Sequence, residues 1–280
     1  MILIAESGST KTDWRLLGDG KFAKTETIGL NPYFVDSEQI AKEISFFIEE
    51  NRNEKISEVH FYGTGITDVS KSEIVKKGIL KALGYETKVF TYSDVIAAAR
   101  ALFGKMDGIA CILGTGSNSC LWDGEKISFQ IPPLGFWLGD EGSGGHLGKL
   151  LMLDYLHKEM PSDILEIFEQ KYGVLTRGEI LTKAYKEDKP NKYFASFSVF
   201  LSENRNNEYC INLIKNSFNQ YLEKYLLKYP QLKEQSIGFV GSIAYYYQDI
   251  LAGVCGENGI TISKIIEKPM DELQKFHEKS

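Results

Sequence analysis

The chain has 280 residues, of which 43% are hydrophobic, 12% aromatic and 25% charged, a globular composition that excludes a disordered or fibrous chain. A formal net charge of −6 and a pI near 5.4 argue against a nucleic-acid or anionic-membrane surface and favour a small-molecule partner. The length exceeds the roughly 250 residues at which a single core stops growing, so two lobes with a cleft between them are expected. In chain order, Met1–Ala5 is an apolar run ended by Glu6 and a glycine turn. It is too short for a signal peptide or a membrane span, and a cytoplasmic protein is expected.

Ile2 to Ala5 reads as a buried strand, Gly8-Ser9-Thr10 as a turn and Thr12 to Leu17 as the returning strand. Gly18-Asp19-Gly20-Lys21 turns the chain into a third strand. Ser37 is read as the cap of a helix whose apolar face is Ile40, Ile44, Phe47 and Ile48. A strand from Val59 to Tyr62, a helix from Lys71 to Leu83 stopped by Gly84, and a strand from Lys88 to Tyr92 complete a β-β-β-α-β-α-β order.

The punctuation then repeats. Ile109 to Leu113, the turn Gly114-Thr115-Gly116-Ser117-Asn118, and Ser119 to Trp122 followed by Asp123-Gly124-Glu125-Lys126 mirror the first hairpin with its Gly-Asp-Gly-Lys ending. Two matching hairpins about one domain length apart suggest two lobes of common ancestry, forming a jaw. Between Leu147 and Gln235 the apolar spacing is helical. Ser236 to Val240 returns to a strand, Gly241-Ser242 opens a helix through Tyr247 and Leu251, Ile260 to Ile266 closes the sheet, and Met270 to Glu278 is a last polar helix.

The four cysteines, Cys111, Cys120, Cys210 and Cys255, lack C-x-x-C spacing and read as reduced thiols. Chemistry is sought elsewhere. Gly8, Ser9, Thr10, Lys11 and Thr12 offer small residues, hydroxyls and a lysine to an anion, and Glu6 beside them is placed to hold Mg²⁺ through water. An ordinary polar hairpin would look similar. Gly114, Thr115, Gly116 and Ser117 are an uncharged counterpart suited to a second phosphate clamp. Asp94 ends a strand where a general base for a hydroxyl would sit, although Asp94 or Ser93 could simply cap the following helix. The loop Gly135 to Gly145 combines glycine, aromatic and acidic residues that suit either a carbohydrate pocket or a flexible surface turn.

Together these segments resemble the BadF/BadG/BcrA/BcrD ATPase family and, within it, the N-acetylglucosamine kinase-like proteins, which share the actin, hexokinase and heat-shock chaperone ATPase fold. The likeness spans nearly the whole chain and rests on Glu6 to Asp13, Asn31-Pro32, Ser93-Asp94, Leu113 to Asn118 and Gly139 to Ser143 in that order, with Gly238 to Ser242 as an adenosine motif. It implies an α/β, two-lobed actin-like fold of ribonuclease H type. Residues 1–105 would form the N-terminal lobe, with the helix at 268–280 as its completion, and residues 106–267 the C-terminal lobe with a helical insertion at 147–235.

By the same resemblance Asp94 is the general base, and Asn31, Asp94, Thr115 and Asp140 contact a sugar. Gly8 to Thr12 and Gly114 to Ser117 hold ATP phosphates, and Gly241 and Ser242 hold adenosine. The implied activity is ATP- and Mg²⁺-dependent phosphorylation of an amino sugar, foremost N-acetylglucosamine to its 6-phosphate. The alternatives are glucosamine, N-acetylmuramic acid, or an ATP-hydrolysing regulator of a protein partner. The expected partners are a sugar and ATP, with no nucleic acid and no membrane; a homodimer stays open. Two departures stand out. The tryptophan that animal amino-sugar kinases place ahead of the acidic loop corresponds to about Leu134, with Trp137 elsewhere, and no cysteine pair matches the iron-sulfur site of the family's activator proteins.

Overall fold

The structure, a computed structural model, describes residues 1–18, 21–50, 55–186 and 189–279, apart from the side chains of Lys21, Phe46, Ile48 and Glu50. Asp19 and Gly20, read above as part of a turn, and the side chain of Ile48, read as part of a helix face, lie outside the described residues. Two compact units are present: Met1–Gly104 with Pro269–Ser280, and Lys105–Lys268.

In the first unit β1 (Ile2–Ser7), β2 (Lys11–Gly18), β3 (Lys21–Ile28), β4 (Glu58–Gly63) and β5 (Lys88–Ser93) form one sheet in the order β3-β2-β1-β4-β5. β1 pairs antiparallel with β2 and parallel with β4, and β5 extends the parallel side. Parallel neighbours need a crossover. Helices α1 (Ser37–Glu50) and α2 (Val69–Leu83) supply the crossovers, and α3 (Asp94–Phe103) follows β5. Alternation along the strands decides which face each residue meets. Leu3, Ala5, Val59 and Phe61 pack with Ile40, Ile44, Val75 and Ile79 in one core. The intervening His60 and Tyr62 meet α3 and the C-terminal helix, Met270–Glu278.

That helix is tied to the sheet by polar and ring contacts. Tyr62 Oη lies 2.8 Å from His277 Nε2 and accepts from Arg100 Nη1 at 2.7 Å. The His60 and His277 rings are 4.1 Å apart, and Arg15 pairs with Asp271 at 2.7 Å. The helix α1 is capped by Asp36, whose Oδ1 accepts from Gln39 N at 2.9 Å. Ser37, the expected cap, is instead the first helical residue, because the carboxylate one position earlier already satisfies the open N–H.

The second unit repeats the topology with β6 (Gly108–Leu113), β7 (Ser117–Trp122), β8 (Ile127–Phe129), β9 (Ile237–Val240) and β10 (Ile262–Ile266) in the order β10-β9-β6-β7-β8. β6 stands where β1 stands in the first sheet, antiparallel to β7 and parallel to β9. The repeated hairpin punctuation thus marks two sheets of one design. Between β8 and β9 run α4 (Gly135–Leu138), α5 (Gly144–His157), α6 (Ser162–Tyr172), α7 (Arg177–Tyr185), α8 (Pro190–Ser196), α9 (Ser198–Glu203) and α10 (Glu208–Lys224). These pack into an aromatic core that includes Phe168, Phe200, Phe218 and Tyr221.

The single helix expected after Gly241 is broken into α11 (Ser242–Tyr246) and α12 (Gln248–Glu257). Tyr247 leaves helical geometry at φ −112 and ψ 24, and its buried hydroxyl donates to the Ser198 carbonyl. Satisfying that hydroxyl in the core outweighs helical continuity. All four cysteines are buried free thiols, and burial holds Cys111, Cys210 and Cys255 above the ordinary thiol range. They act as packing groups, since a thiol kept protonated is a poor nucleophile.

Candidate active site

In the first unit the site starts from the β1–β2 turn. Gly8 N donates to Lys11 O at 3.0 Å and closes it. Lys11 and Thr12 already belong to β2. Thr12 Oγ1 donates to the Ile28 carbonyl at 2.8 Å, with Ser7 Oγ 2.9 Å away, and Ser7 Oγ accepts from Leu30 N at 2.9 Å. These hydroxyls join the turn to the segment carrying Asn31. The Lys11 ammonium pairs with Glu26 on β3.

Glu6 precedes Ser7 on β1, and its carboxyl is pushed up to about 7, first by burial and then by the Asp94 and Asp13 carboxylates, with Lys11 opposing. A buried carboxyl raised by neighbouring carboxylates in this way suits a nearby cation. Among the described residues no three His, Cys, Asp or Glu side chains gather closely enough to ligate a metal directly.

Asp94 is the first residue of α3, directly after β5, and the cap position Ser93 makes no side-chain capping bond. Thr64 Oγ1 donates to Asp94 Oδ2 at 3.1 Å, while Thr64 N donates to Ser7 O at 3.0 Å. Asn31 Oδ1 accepts from Tyr33 N at 3.0 Å. Gly65, at φ +86, lies so close that a Cβ there would stand 2.2 Å from Asn31 Oδ1. Asn31 and Asp94 therefore flank the Thr64–Gly65 turn.

In the second unit the β6–β7 turn is braced by the acidic loop. Gly114 O accepts from Gly144 N at 2.8 Å and Thr115 O from Gly145 N at 3.0 Å. The open N–H groups at the start of α5 are spent on the turn in this way. Asp140, buried and at φ 59, accepts from Ser117 N on Oδ1 at 3.2 Å. Ser143 caps α5 by accepting from His146 N at 3.2 Å. Lys149 donates to Phe136 O at 2.5 Å and Gly139 O at 3.5 Å. Burial lowers its pKa, and the Asp140 and Glu141 carboxylates oppose that.

At the end of β9, Gly241 at φ +124 sits where a Cβ would be 2.3 Å from Leu113 O. Only a glycine lets α11 begin against the second turn, with exposed Ser242 as its first residue. Ser117 Oγ is a buried hydroxyl with no hydrogen-bond partner among the described residues, and nothing lies within 4 Å of where a Gly114 Cβ would be. A group of oxygen acceptors on the turn would complete that hydroxyl, so the residues fit a phosphate.

A solved structure from Porphyromonas gingivalis, provisionally named an N-acetylglucosamine kinase, is 37% identical, covers 100% of this chain and 99% of its own, and superposes with a TM-score of 0.93. This chain belongs to the N-acetylglucosamine kinase-like family of BadF/BadG/BcrA/BcrD ATPases. A Chromobacterium violaceum structure of the same provisional name is 16% identical with a TM-score of 0.73, covering 98% of each chain. A ROK family glucokinase from Streptomyces griseus, in complex with glucose and AMPPNP, is 12% identical with a TM-score of 0.55, covering 99% of each chain. Both share the actin-like fold. No family model and no curated protein matches the chain.

In this N-acetylglucosamine kinase-like chain the site residues fall into two groups. Glu6, Gly8 to Thr12, Asn31 and Asp94 gather in the first unit, and Gly114 to Ser117, Asp140, Gly241 and Ser242 in the second. Leu134 is exposed, and exposed Trp137 stacks on Tyr185 with centroids 5.7 Å apart. Sequence reading missed Ser7, Thr64 and Gly65. Thr64-Gly65 follows the end of a parallel strand, the signal that had pointed to Asp94. Lys149 lies inside an ordinary amphipathic helix and carries no such signal. Among the described residues no helix is long and apolar enough to cross a membrane.

Proposed function

We propose that this chain transfers the γ-phosphoryl group of ATP to an amino sugar, with the 6-hydroxyl of N-acetylglucosamine as the first acceptor. As a member of its family it is an ATP-dependent sugar kinase. The observation that carries the finer reading is the pairing of Asp94 with Thr64 at 3.1 Å beside Asn31. A carboxylate oriented by a neighbouring hydroxyl, next to an amide, suits a base that takes the proton from an attacking sugar hydroxyl. Asn31 would hold another hydroxyl of the same ring.

Phosphoryl transfer asks little covalent chemistry of the protein, so positioning and charge stabilisation carry the rate. Gly8 to Thr12 and Gly114 to Ser117 would form two phosphate turns, closed by the Gly8 and Ser117 N–H groups and the Thr12 hydroxyl, with the Ser117 hydroxyl left for a phosphate oxygen, and Gly241 and Ser242 would face adenosine. Glu6 would hold Mg²⁺ through water, and the ion, when bound, neutralises charge on the transferring phosphate. Thr115 and Asp140 would complete the acceptor contacts. The enzyme would work in the cytoplasm, where ATP is supplied.

The test is ADP release with N-acetylglucosamine, glucosamine, N-acetylmuramic acid or no sugar, with products identified by mass spectrometry. N-acetylglucosamine should stimulate release most and gain one phosphate. Release that proceeds equally with and without every sugar, leaving no sugar phosphate, would make the chain an ATP-driven regulator.

A further inference from the structure

Asp140, assigned above to the acceptor, makes two demands on its surroundings. Its backbone stands at φ 59, a left-handed conformation that a non-glycine residue keeps only where neighbouring contacts over-determine it. Its side chain is also buried, and a buried carboxylate needs hydrogen-bond donors and an opposite charge nearby.

Lys149, in the second turn of α5, meets both demands. Its ammonium donates to Phe136 O at 2.5 Å and stands 3.5 Å from Gly139 O. The first carbonyl lies in the one-turn helix α4, and the second belongs to the peptide joining Gly139 to Asp140. Carbonyls at a helix end lack partners within the helix, and a lysine is a natural donor to them. Relaxing the φ of Asp140 means rotating the peptide before it, so a cation beside that oxygen opposes the relaxation. The ammonium also lies 4.8 Å from the centroid of the Phe136 ring, and its charge attracts the Asp140 and Glu141 carboxylates. From the other side Tyr225, just after α10, donates to Glu141 Oε2 at 3.1 Å. The chain passes so near it that a Gly139 Cβ would stand 2.8 Å from the Tyr225 hydroxyl oxygen. The acidic loop is thus clamped between α5 and the end of α10.

We propose that Lys149 is a positioning residue, which holds the segment 136–140 and supplies the counter-charge that keeps the Asp140 carboxylate in place for the sugar. It need touch neither substrate. The inference rests on the acceptor role of Asp140, so a readout free of sugar accompanies the kinetics. Lys149→Met keeps the apolar stem and removes the donors and the charge. In the ADP-release assay its KM for N-acetylglucosamine should rise about tenfold. In an Asp140→Ala background the same change should move that KM less than about twofold, because a residue acting through another then has nothing left to position. Lys149→Arg, which keeps a cation and its donors, should stay within about threefold of the parent. Trp137 supplies the second readout. Its ring lies 4.8 Å from that of Phe136, and it is exposed while Trp14 and Trp122 are buried, so acrylamide quenching of tryptophan fluorescence follows α4. Quenching should rise in Lys149→Met and stay at the parent's value in Lys149→Arg.

An unchanged sugar KM in Lys149→Met overturns the assignment. An equal rise in the parent and in Asp140→Ala overturns it as well, since Lys149 would then support the fold at large. So does a loss in Lys149→Arg equal to that in Lys149→Met. If the parent phosphorylates no sugar, the kinase reading falls and quenching decides for Lys149: a rise in Lys149→Met keeps its hold on the loop, and unchanged quenching removes it.

Discussion

Replacing Gly65 by alanine tests whether the Thr64–Gly65 turn sets up the acceptor site. The residue has φ +86, and an added Cβ would stand 2.2 Å from Asn31 Oδ1 and 2.7 Å from its Cγ. Holding an L-residue at such a φ costs roughly 1–2 kcal/mol. The clash falls on the end of a movable side chain, so Asn31 should swing away and lose its 3.0 Å bond from Tyr33 N, worth about 1 kcal/mol. Gly65→Ala should therefore cost about 2–3 kcal/mol in urea unfolding. Asn31 would also be displaced, so KM for the sugar should rise about tenfold, the kinetic equivalent of about 1.4 kcal/mol. KM for ATP should stay near that of the parent. A variant as stable as the parent with an unchanged sugar KM would show that Asn31 and this turn are uncoupled, and the acceptor assignment of Asn31 would fail with it.

Asp94→Asn should preserve folding and ATP binding and lower kcat by roughly two to four powers of ten, the range for a general base; a kcat within threefold of the parent would leave Asp94 only its place at the start of α3. Asp140→Ala removes the acceptor of the Ser117 N–H at 3.2 Å, a buried charged bond worth roughly 1.5–3 kcal/mol. Because that bond braces the β6–β7 turn, proposed above to hold ATP phosphates, KM should rise for ATP as well as for the sugar, and a loss confined to the sugar would refute the bracing role.

The C-terminal helix should be acid-sensitive. Burial, and then the His60 and Arg100 charges, lower His277 from 6.5 to about 3. In that interval the unfolded chain binds the extra proton, so this contribution is fully present above about pH 6.5 and is lost as pH falls toward about 3. Up to about 5 kcal/mol is at stake. His277→Gln should flatten the decline seen by circular dichroism, and a pH profile identical to the parent's would remove His277 from the account.

Local chemistry made much of this molecule legible in its sequence. The short apolar runs Ile2 to Ala5 and Ile109 to Leu113, the glycine turns after them and the polar endings Gly18-Asp19-Gly20-Lys21 and Asp123-Gly124-Glu125-Lys126 determine two hairpins of one pattern, because a buried strand run and turn geometry are properties of a few consecutive residues. The long helical stretch before β9 is equally local. The family likeness was carried by short ordered motifs such as Glu6 to Asp13 and Leu113 to Asn118.

What the sequence left open is whatever depends on residues far apart in the chain. Nothing near Asp94 announces that Thr64, thirty positions earlier, orients its carboxylate, or that Asp140 reaches back to Ser117. The sequence reading put the cap at Ser37, but the Gln39 N–H is taken by the Asp36 carboxylate. The helix after Gly241 was continuous by propensity, yet a buried Tyr247 hydroxyl seeking the Ser198 carbonyl broke it. Local preference is worth only tenths of a kcal/mol to about 1 kcal/mol per residue, whereas an unpaired buried polar group costs about 1–3 kcal/mol, so where the two conflict the tertiary packing decides.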